Sequence, residues 1–214
     1  MLVTKSAPGF KAQAVMPDNS FKEISLSDFK GKKIALFFYP LDFTFVWPSE
    51  LIAFDKRLEE FKKRNTQVLG CSIDSHFSHL RWKETPIEKG GIGNINYPLI
   101  ADIDKSISRK YDVLLGTTSA TVMTDDSEEE TTIGGGVALR GSFLIDEDGI
   151  VRHEIKNDLP LGRNIDEMLR LIDALDFHNE HGDVCPAGWN KGKDGMKPSH
   201  DGMKKYVSEN AKSL

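Results

Sequence analysis

The sequence predicts an α/β protein with helices flanking a central mixed sheet, on three observations. Two apolar runs, Ile34–Phe38 and Gln67–Ile73, alternate with stretches of helical periodicity. The turn Asp146-Glu147-Asp148-Gly149 joins the strand-like runs Ala138–Ile145 and Gly149–Ile155 as a hairpin. An amphipathic helix over 164–177 follows, with Ile165, Met168, Leu169, Ile172 and Leu175 on one face and Asn164 as its cap.

Taken in order, residues 1–33 read as an irregular or hairpin-like lead-in, with turn signals at Pro8-Gly9 and Pro17-Asp18-Asn19. Ser27-Asp28-Phe29 reads as a short helical turn that Gly31 ends. The unbroken run Ile34–Phe38 has the pattern of a strand covered on both faces. From Pro48, Leu51, Phe54, Leu58 and Phe61 recur at i, i+3, i+7 and i+10, one face of a single long helix that closes on Lys62-Lys63-Arg64. After the second strand, Asp74-Ser75-His76 caps a helix over 76–85, Gly90–Gly93 is a loop, and Pro98–Ala101 is a short strand. A helix over 104–111 takes Asp104 as N-cap. Residues 116–136 carry the acidic run Asp125–Glu130 between threonines and glycines, and read as a flexible surface insertion. The expected division is one domain over 1–177 and an extended C-terminal arm over 178–214. That arm, which has no core of its own, is expected to pack on something else, such as a partner subunit.

Composition narrows the function. The chain has 214 residues, 39% hydrophobic and 29% charged, enough for one full core. A net charge of −5 gives no electrostatic attraction to nucleic acid or an anionic membrane. No apolar run approaches the ~18 residues a membrane helix needs, and MLVTKSAPGFKA lacks the apolar core of a signal peptide. Two cysteines suit a reducing compartment, so the expectation is cytoplasmic. His76 and His79 could share a helix face, but no cysteine or carboxylate joins them at ligand spacing, and no phosphate-binding loop is present. No metal or cofactor is expected.

The informative position is 47. Pro48 suits the first position of a helix, so residue 47 stands at the helix mouth, among unpaired N–H groups and at the positive end of the dipole. A cysteine there would ionise at neutral pH. The residue is Trp47, which can neither ionise nor attack.

Pro40-Leu41-Asp42-Phe43-Thr44-Phe45-Val46, followed by Pro48-Ser49-Glu50, resembles the active-site loop of peroxiredoxins, Pro-x-x-x-Thr-x-x-Cys, with Trp47 at the position of the peroxidatic cysteine. The likeness runs along nearly the whole chain and is strongest to the typical two-cysteine group, which includes bacterial alkyl hydroperoxide reductase C. It implies a thioredoxin-like fold and a thiol-dependent peroxidase acting on hydrogen peroxide and organic hydroperoxides. It implies that Pro40 and Thr44 shape the site, with Thr44 bonding thiolate and peroxide. Arg140 would lower the thiol pKa, and Glu50 and Arg163 would form a supporting ion pair. Cys185, in His181-Gly182-Asp183-Val184-Cys185-Pro186, matches the resolving cysteine, which attacks the neighbouring subunit's sulfenic acid. Homodimers assembling to a decamer, with a thioredoxin or a flavoprotein disulfide reductase as electron donor, belong to the same resemblance.

Three departures stand out. Most members of the family that it resembles have a much shorter connection at 116–136. Gly90-Gly91-Ile92-Gly93 approximates a Gly-Gly-Leu-Gly motif linked to over-oxidation, but its partner Tyr-Phe is Tyr206-Val207 here. With Trp47 the chain is expected to be inactive as written, with a redox-inactive ring-forming scaffold or holdase chaperone as the alternative. Cys71 lies inside an apolar strand, as a small hydrophobe would.

Overall fold

The computed structural model describes residues 1–44, 47–116, 118–123, 128–133 and 136–211; for Trp47, 118–123 and 128–133 it describes the backbone only. Two compact units divide the chain, Met1–Arg163 and Asn164–Leu214. The helix expected to close the first domain therefore belongs with the arm.

The first unit is built on a seven-stranded mixed sheet. Its strands are β1 (Lys11–Val15), β2 (Phe21–Ser25), β3 (Lys33–Phe38), β4 (Thr66–Ser72), β5 (Leu99–Ala101), β8 (Arg140–Ile145) and β9 (Val151–Asn157), in spatial order β2-β1-β5-β4-β3-β8-β9. All six residues of β3 are buried, as its continuous apolar run requires of a central strand. It pairs parallel with β4 and antiparallel with β8. The lead-in is hairpin-like, and β1 joins it to the main sheet through β5. Between β8 and β9, Gly149 takes φ +81 and Asp146 Oδ1 accepts the N–H groups of Asp148 and Ile150, which closes the expected turn.

Helix α1 (Trp47–Lys56) and helix α2 (Leu58–Lys63) replace the single long helix expected from Pro48. The chain tightens at Arg57, whose N–H bonds to the carbonyl three residues back, at Phe54. The apolar stripe survives the break, because Leu51, Phe54, Leu58 and Phe61 are all buried. Phe54 stacks on Phe37 of β3 at 4.2 Å, and the Tyr97 hydroxyl donates to the Leu51 carbonyl at 2.8 Å. These contacts fasten α1 across β3.

Helix α3 (His76–Glu84) is capped by Ser75, whose hydroxyl accepts the Ser78 N–H. Helix α4 (Ser106–Lys110) is shorter than expected, and Asp104 is not its principal cap. Lys105 turns left-handed before it, and Asp102 accepts the N–H groups of both Ile107 and Ser108. Asp104 takes only the Ser106 N–H, at 3.0 Å, and the buried carboxylate two residues earlier takes the next two. The acidic insertion was expected to be a loop. Its described parts instead pair as an antiparallel ribbon, β6 (Thr118–Met123) with β7 (Glu128–Ile133). Threonine, valine and isoleucine at six of these twelve positions supply the strand propensity that acidic composition concealed; residues 124–127 lie outside the described chain.

Lys83 on α3 is buried, and its ammonium donates to the carbonyls of Met16 (2.8 Å) and Pro17 (3.3 Å). Burial lowers its pKa from 10.5 to about 8, against the opposing charges of Asp18 and Asp55. Between those two values the unfolded chain binds more protons than the folded one, so stability is gained as pH rises from about 8 to 10.5 and lost on the way down. Urea titrations at both ends should show a rise of order 1–3 kcal/mol in this protein that is missing from Lys83→Met.

In the second unit, α5 (Ile165–His181) starts at the expected cap, Asn164, which accepts from the N–H groups of Asp166 and Glu167. It runs four residues further than expected and stops at Gly182 (φ +71). The arm beyond it is not merely extended. It contains α6 (His200–Asn210) and a bridge between Val184 and Met196. Trp189, 3% exposed, packs against Phe177 of α5 at 5.0 Å and donates its indole N–H to the Lys193 carbonyl. The arm thus builds a small core with the end of α5, where the sequence reading left it without one. Among the described residues no helix is long and apolar enough to cross a membrane.

Candidate active site

The site forms where β3 ends and α1 begins. Pro40 is buried, and Thr44 Oγ1 donates to the Leu41 carbonyl at 2.8 Å, closing the loop on itself. Helix α1 starts at Trp47, which places residue 47 in the first turn; residues 45 and 46 and the Trp47 side chain lie outside the described atoms. One turn on, Glu50 points inward and is 5% exposed.

Glu50 joins both arginines singled out from the sequence. Arg140, the first residue of β8 and fully buried, reaches Glu50 Oε2 at 2.8 Å and donates through Nε to the Leu159 carbonyl at 2.7 Å. Arg163 grips Glu50 with Nη2 to Oε2 (2.8 Å) and Nε to Oε1 (3.2 Å), and its backbone N–H also bonds Oε1 (2.7 Å). Its Nη1 donates to the carbonyls of Phe38 and Gly141, and the guanidinium lies over the Phe37 ring at 5.0 Å. Arg163 therefore ties the C-terminal end of β3 to the start of β8 and holds the carboxylate at the same time. Burial on its own would raise the Glu50 pKa; the charge and hydrogen bonds of Arg163, with Arg140 behind them, outweigh burial and hold it below its ordinary 4.5. Glu50 thus gathers two cations beside the first turn of α1. An anion at residue 47 would be stabilised by those cations and by the helix dipole.

Cys185 belongs to the second unit. It is half-buried, and its Sγ donates to the Ala174 carbonyl at 3.5 Å. Burial raises its pKa above 9.0, with Arg170 pulling the other way, so it is a thiol at neutral pH. Cys71, fully buried in β4, is pushed up further by burial and then by the charge of Asp102.

A buried polar network beneath the loop escaped the sequence reading. The Tyr39 hydroxyl donates to Asp42 Oδ1 (3.0 Å), His79 Nδ1 meets Asp42 Oδ2 (2.8 Å), and His79 Nε2 meets the Ile100 carbonyl (3.1 Å). His79 thus joins the loop to β5 instead of sharing a ligand face with His76, and among the described residues no His, Cys, Asp or Glu group could hold a metal. The only hint in the sequence is Asp42, an acidic residue inside an otherwise apolar loop.

A family model described as the AhpC/TSA family matches residues 3–154. The chain belongs to the AhpC/TSA family. A second model, the C-terminal domain of 1-Cys peroxiredoxin, matches residues 174–209. Alkyl hydroperoxide reductase C of Helicobacter pylori is 54% identical over 216 aligned residues, covering 100% of both chains. Reduced 2-Cys peroxiredoxin of Plasmodium vivax is 52% identical with a TM-score of 0.85, covering 97% of this chain and 99% of that one. A Plasmodium yoelii Prx1a modified at its N-terminus, described as forming an artifactual octamer, is 55% identical with a TM-score of 0.70 over 87% of this chain and 98% of that one. These relatives establish the peroxiredoxin fold and a lineage of thiol-dependent peroxidases.

The peroxiredoxin glycine motif is backbone chemistry in this chain. Gly90 and Gly93 take φ +82 and +66, and a Cβ on Gly91 would fall onto the Thr85 carbonyl. Gly91→Ala should destabilise by about 1–3 kcal/mol or more through that clash, read as a lowered urea midpoint; an unchanged midpoint would show the loop free to move aside.

Proposed function

We propose that this chain carries the site of a peroxidase for hydrogen peroxide and organic hydroperoxides, silenced at one residue. The observation that supports this reading is the Glu50–Arg140–Arg163 cluster beside the first turn of α1, behind the Pro40–Thr44 loop. With cysteine at 47, that cluster would hold a thiolate. The sulfur would attack a peroxide oxygen, an S–O bond would form as the O–O bond broke, and the alkoxide or hydroxide would leave and take up a proton. Thr44 would bond the thiolate and peroxide, turning from the Leu41 carbonyl that it meets here. Arg140 would stabilise the thiolate, with Glu50 and Arg163 holding Arg140 in place and Pro40 shaping the wall. Cys185 of a neighbouring subunit would then attack the sulfenic sulfur, forming a disulfide and releasing water. Trp47 supplies no nucleophile, so the chain as written turns over no peroxide and Cys185 stays a free thiol.

The same reading has the chain as a homodimer that assembles to a decamer in the cytoplasm, with a thioredoxin or flavoprotein disulfide reductase as the parent enzyme's donor. Trp47 itself favours a second role, as a redox-inactive ring-forming scaffold or holdase chaperone. Peroxide consumption with a thiol reductant, in this protein and in Trp47→Cys, decides between the two. Activity in the variant alone supports the silenced peroxidase; inertness in both transfers the weight to the scaffold.

A further inference from the structure

Asp74 has no part in the chemistry above, yet its carboxylate stands directly behind the loop that leads to Trp47. Its Oδ2 accepts the backbone N–H of Asp42 at 2.7 Å and the Ser72 hydroxyl at 3.1 Å, while Ser72 Oγ accepts the Asp74 N–H at 3.1 Å. Ser72 is the last residue of β4 and fully buried, so the carboxylate is anchored to the sheet and reaches out to the loop. Burial and then the neighbouring charge of Asp42 push the Asp74 pKa up, so the arrangement is held against an electrostatic cost.

That cost has a counterpart in the backbone. Phe43, the residue after Asp42, takes φ +57, and its side chain is 51% exposed. A bulky residue in the left-handed region costs about 1–2 kcal/mol and persists only where its surroundings over-determine it. Here Tyr39 and His79 hold the Asp42 side chain, Asp74 holds its amide, and the Thr44–Leu41 bond closes the following turn. Of these restraints only the Asp74 bond acts on the main chain immediately before the strained residue.

The geometry points to Asp74 as a positioning residue: by gripping the Asp42 amide it fixes the left-handed turn at Phe43, and through it the placement of Thr44. The inference rests on residue 47 being the reactive position, and its test separates the two claims. In the full chain with Trp47 retained, Asp74→Ala should speed hydrogen exchange at the Asp42 amide by at least about tenfold, the loss expected for a hydrogen bond to a charged group, while β3 and β4 amides keep their rates. Asp74→Asn, which still offers an oxygen acceptor, should restore slow exchange. In a Trp47→Cys background, Asp74→Ala should lower kcat/KM for hydrogen peroxide about tenfold or more, and Asp74→Asn should recover most of it. If Asp74→Ala does not fold, Ser72→Ala loosens the same carboxylate and should raise Asp42 exchange by a smaller factor. Unchanged exchange at Asp42 overturns the proposal, as does faster exchange with unchanged kcat/KM. If Trp47→Cys alone is inert, the reading of residue 47 has failed, and the exchange result still decides whether Asp74 holds the loop.

Discussion

Trp47→Cys is expected to raise peroxide reduction from the uncatalysed background by at least about a million-fold, the lower end of enzymatic accelerations. The size of the effect follows from what is already in place. The indole removes the one atom that must attack, while Arg140 and Arg163 each remain paired with Glu50 at 2.8 Å. A cation at a helix N-terminus lowers a thiol pKa from about 8.5 toward or below neutrality. Steady-state peroxide loss with dithiothreitol checks this. In the Trp47→Cys background, Arg140→Met should return most of the gain, because the thiolate would lose one of the two buried cations gathered by Glu50.

Glu50→Gln carries the second large expectation, on stability. Glu50 pairs with two buried guanidinium groups, and removing one member of a buried ion pair typically costs about 3–5 kcal/mol. Gln retains an acceptor oxygen for the Arg163 N–H, so the loss reports the charge and not the shape. The pH dependence has a definite sign. The folded-state pKa of Glu50 lies below 4.5, so at acid pH the unfolded chain binds the extra proton. The stabilisation is complete above 4.5 and disappears as pH falls through the lower, folded-state value. The gap between this protein and Glu50→Gln in urea midpoint should therefore be full at pH 7 and close progressively below pH 4.5. A constant gap would mean that the carboxylate's charge is not what holds the cluster.

The legible parts of the fold are those set by apolar period. The runs at 34–38 and 67–73, the 146–149 turn and the Asn164 cap all read correctly because each rests on local chemistry that the burial pattern reinforces. Two of the misreadings share one cause, a tertiary group acting over a local one. Asp102, buried two residues upstream, shares the capping of α4 with Asp104 by taking two of its N–H groups, and Trp189 found Phe177 and gave the arm a core that composition did not suggest. At the site, Glu50, Arg140 and Arg163 were legible only through a family pattern, since nothing in spacing brings residues 50, 140 and 163 together. Tyr39, Asp42, Asp74 and His79 were not legible, because a buried hydrogen-bond network between a strand end, a loop and a helix leaves no periodic trace.

On the proposed function, one residue separates this chain from a working peroxidase that completes its cycle through Cys185. The most direct test treats this protein, Trp47→Cys and Trp47→Cys/Cys185→Ser with one equivalent of hydrogen peroxide and separates the products by non-reducing electrophoresis. A covalent dimer is expected from Trp47→Cys alone, while this protein and the double variant stay monomeric under denaturing conditions. A dimer formed by the protein as it stands, or none from Trp47→Cys, would contradict the proposed function.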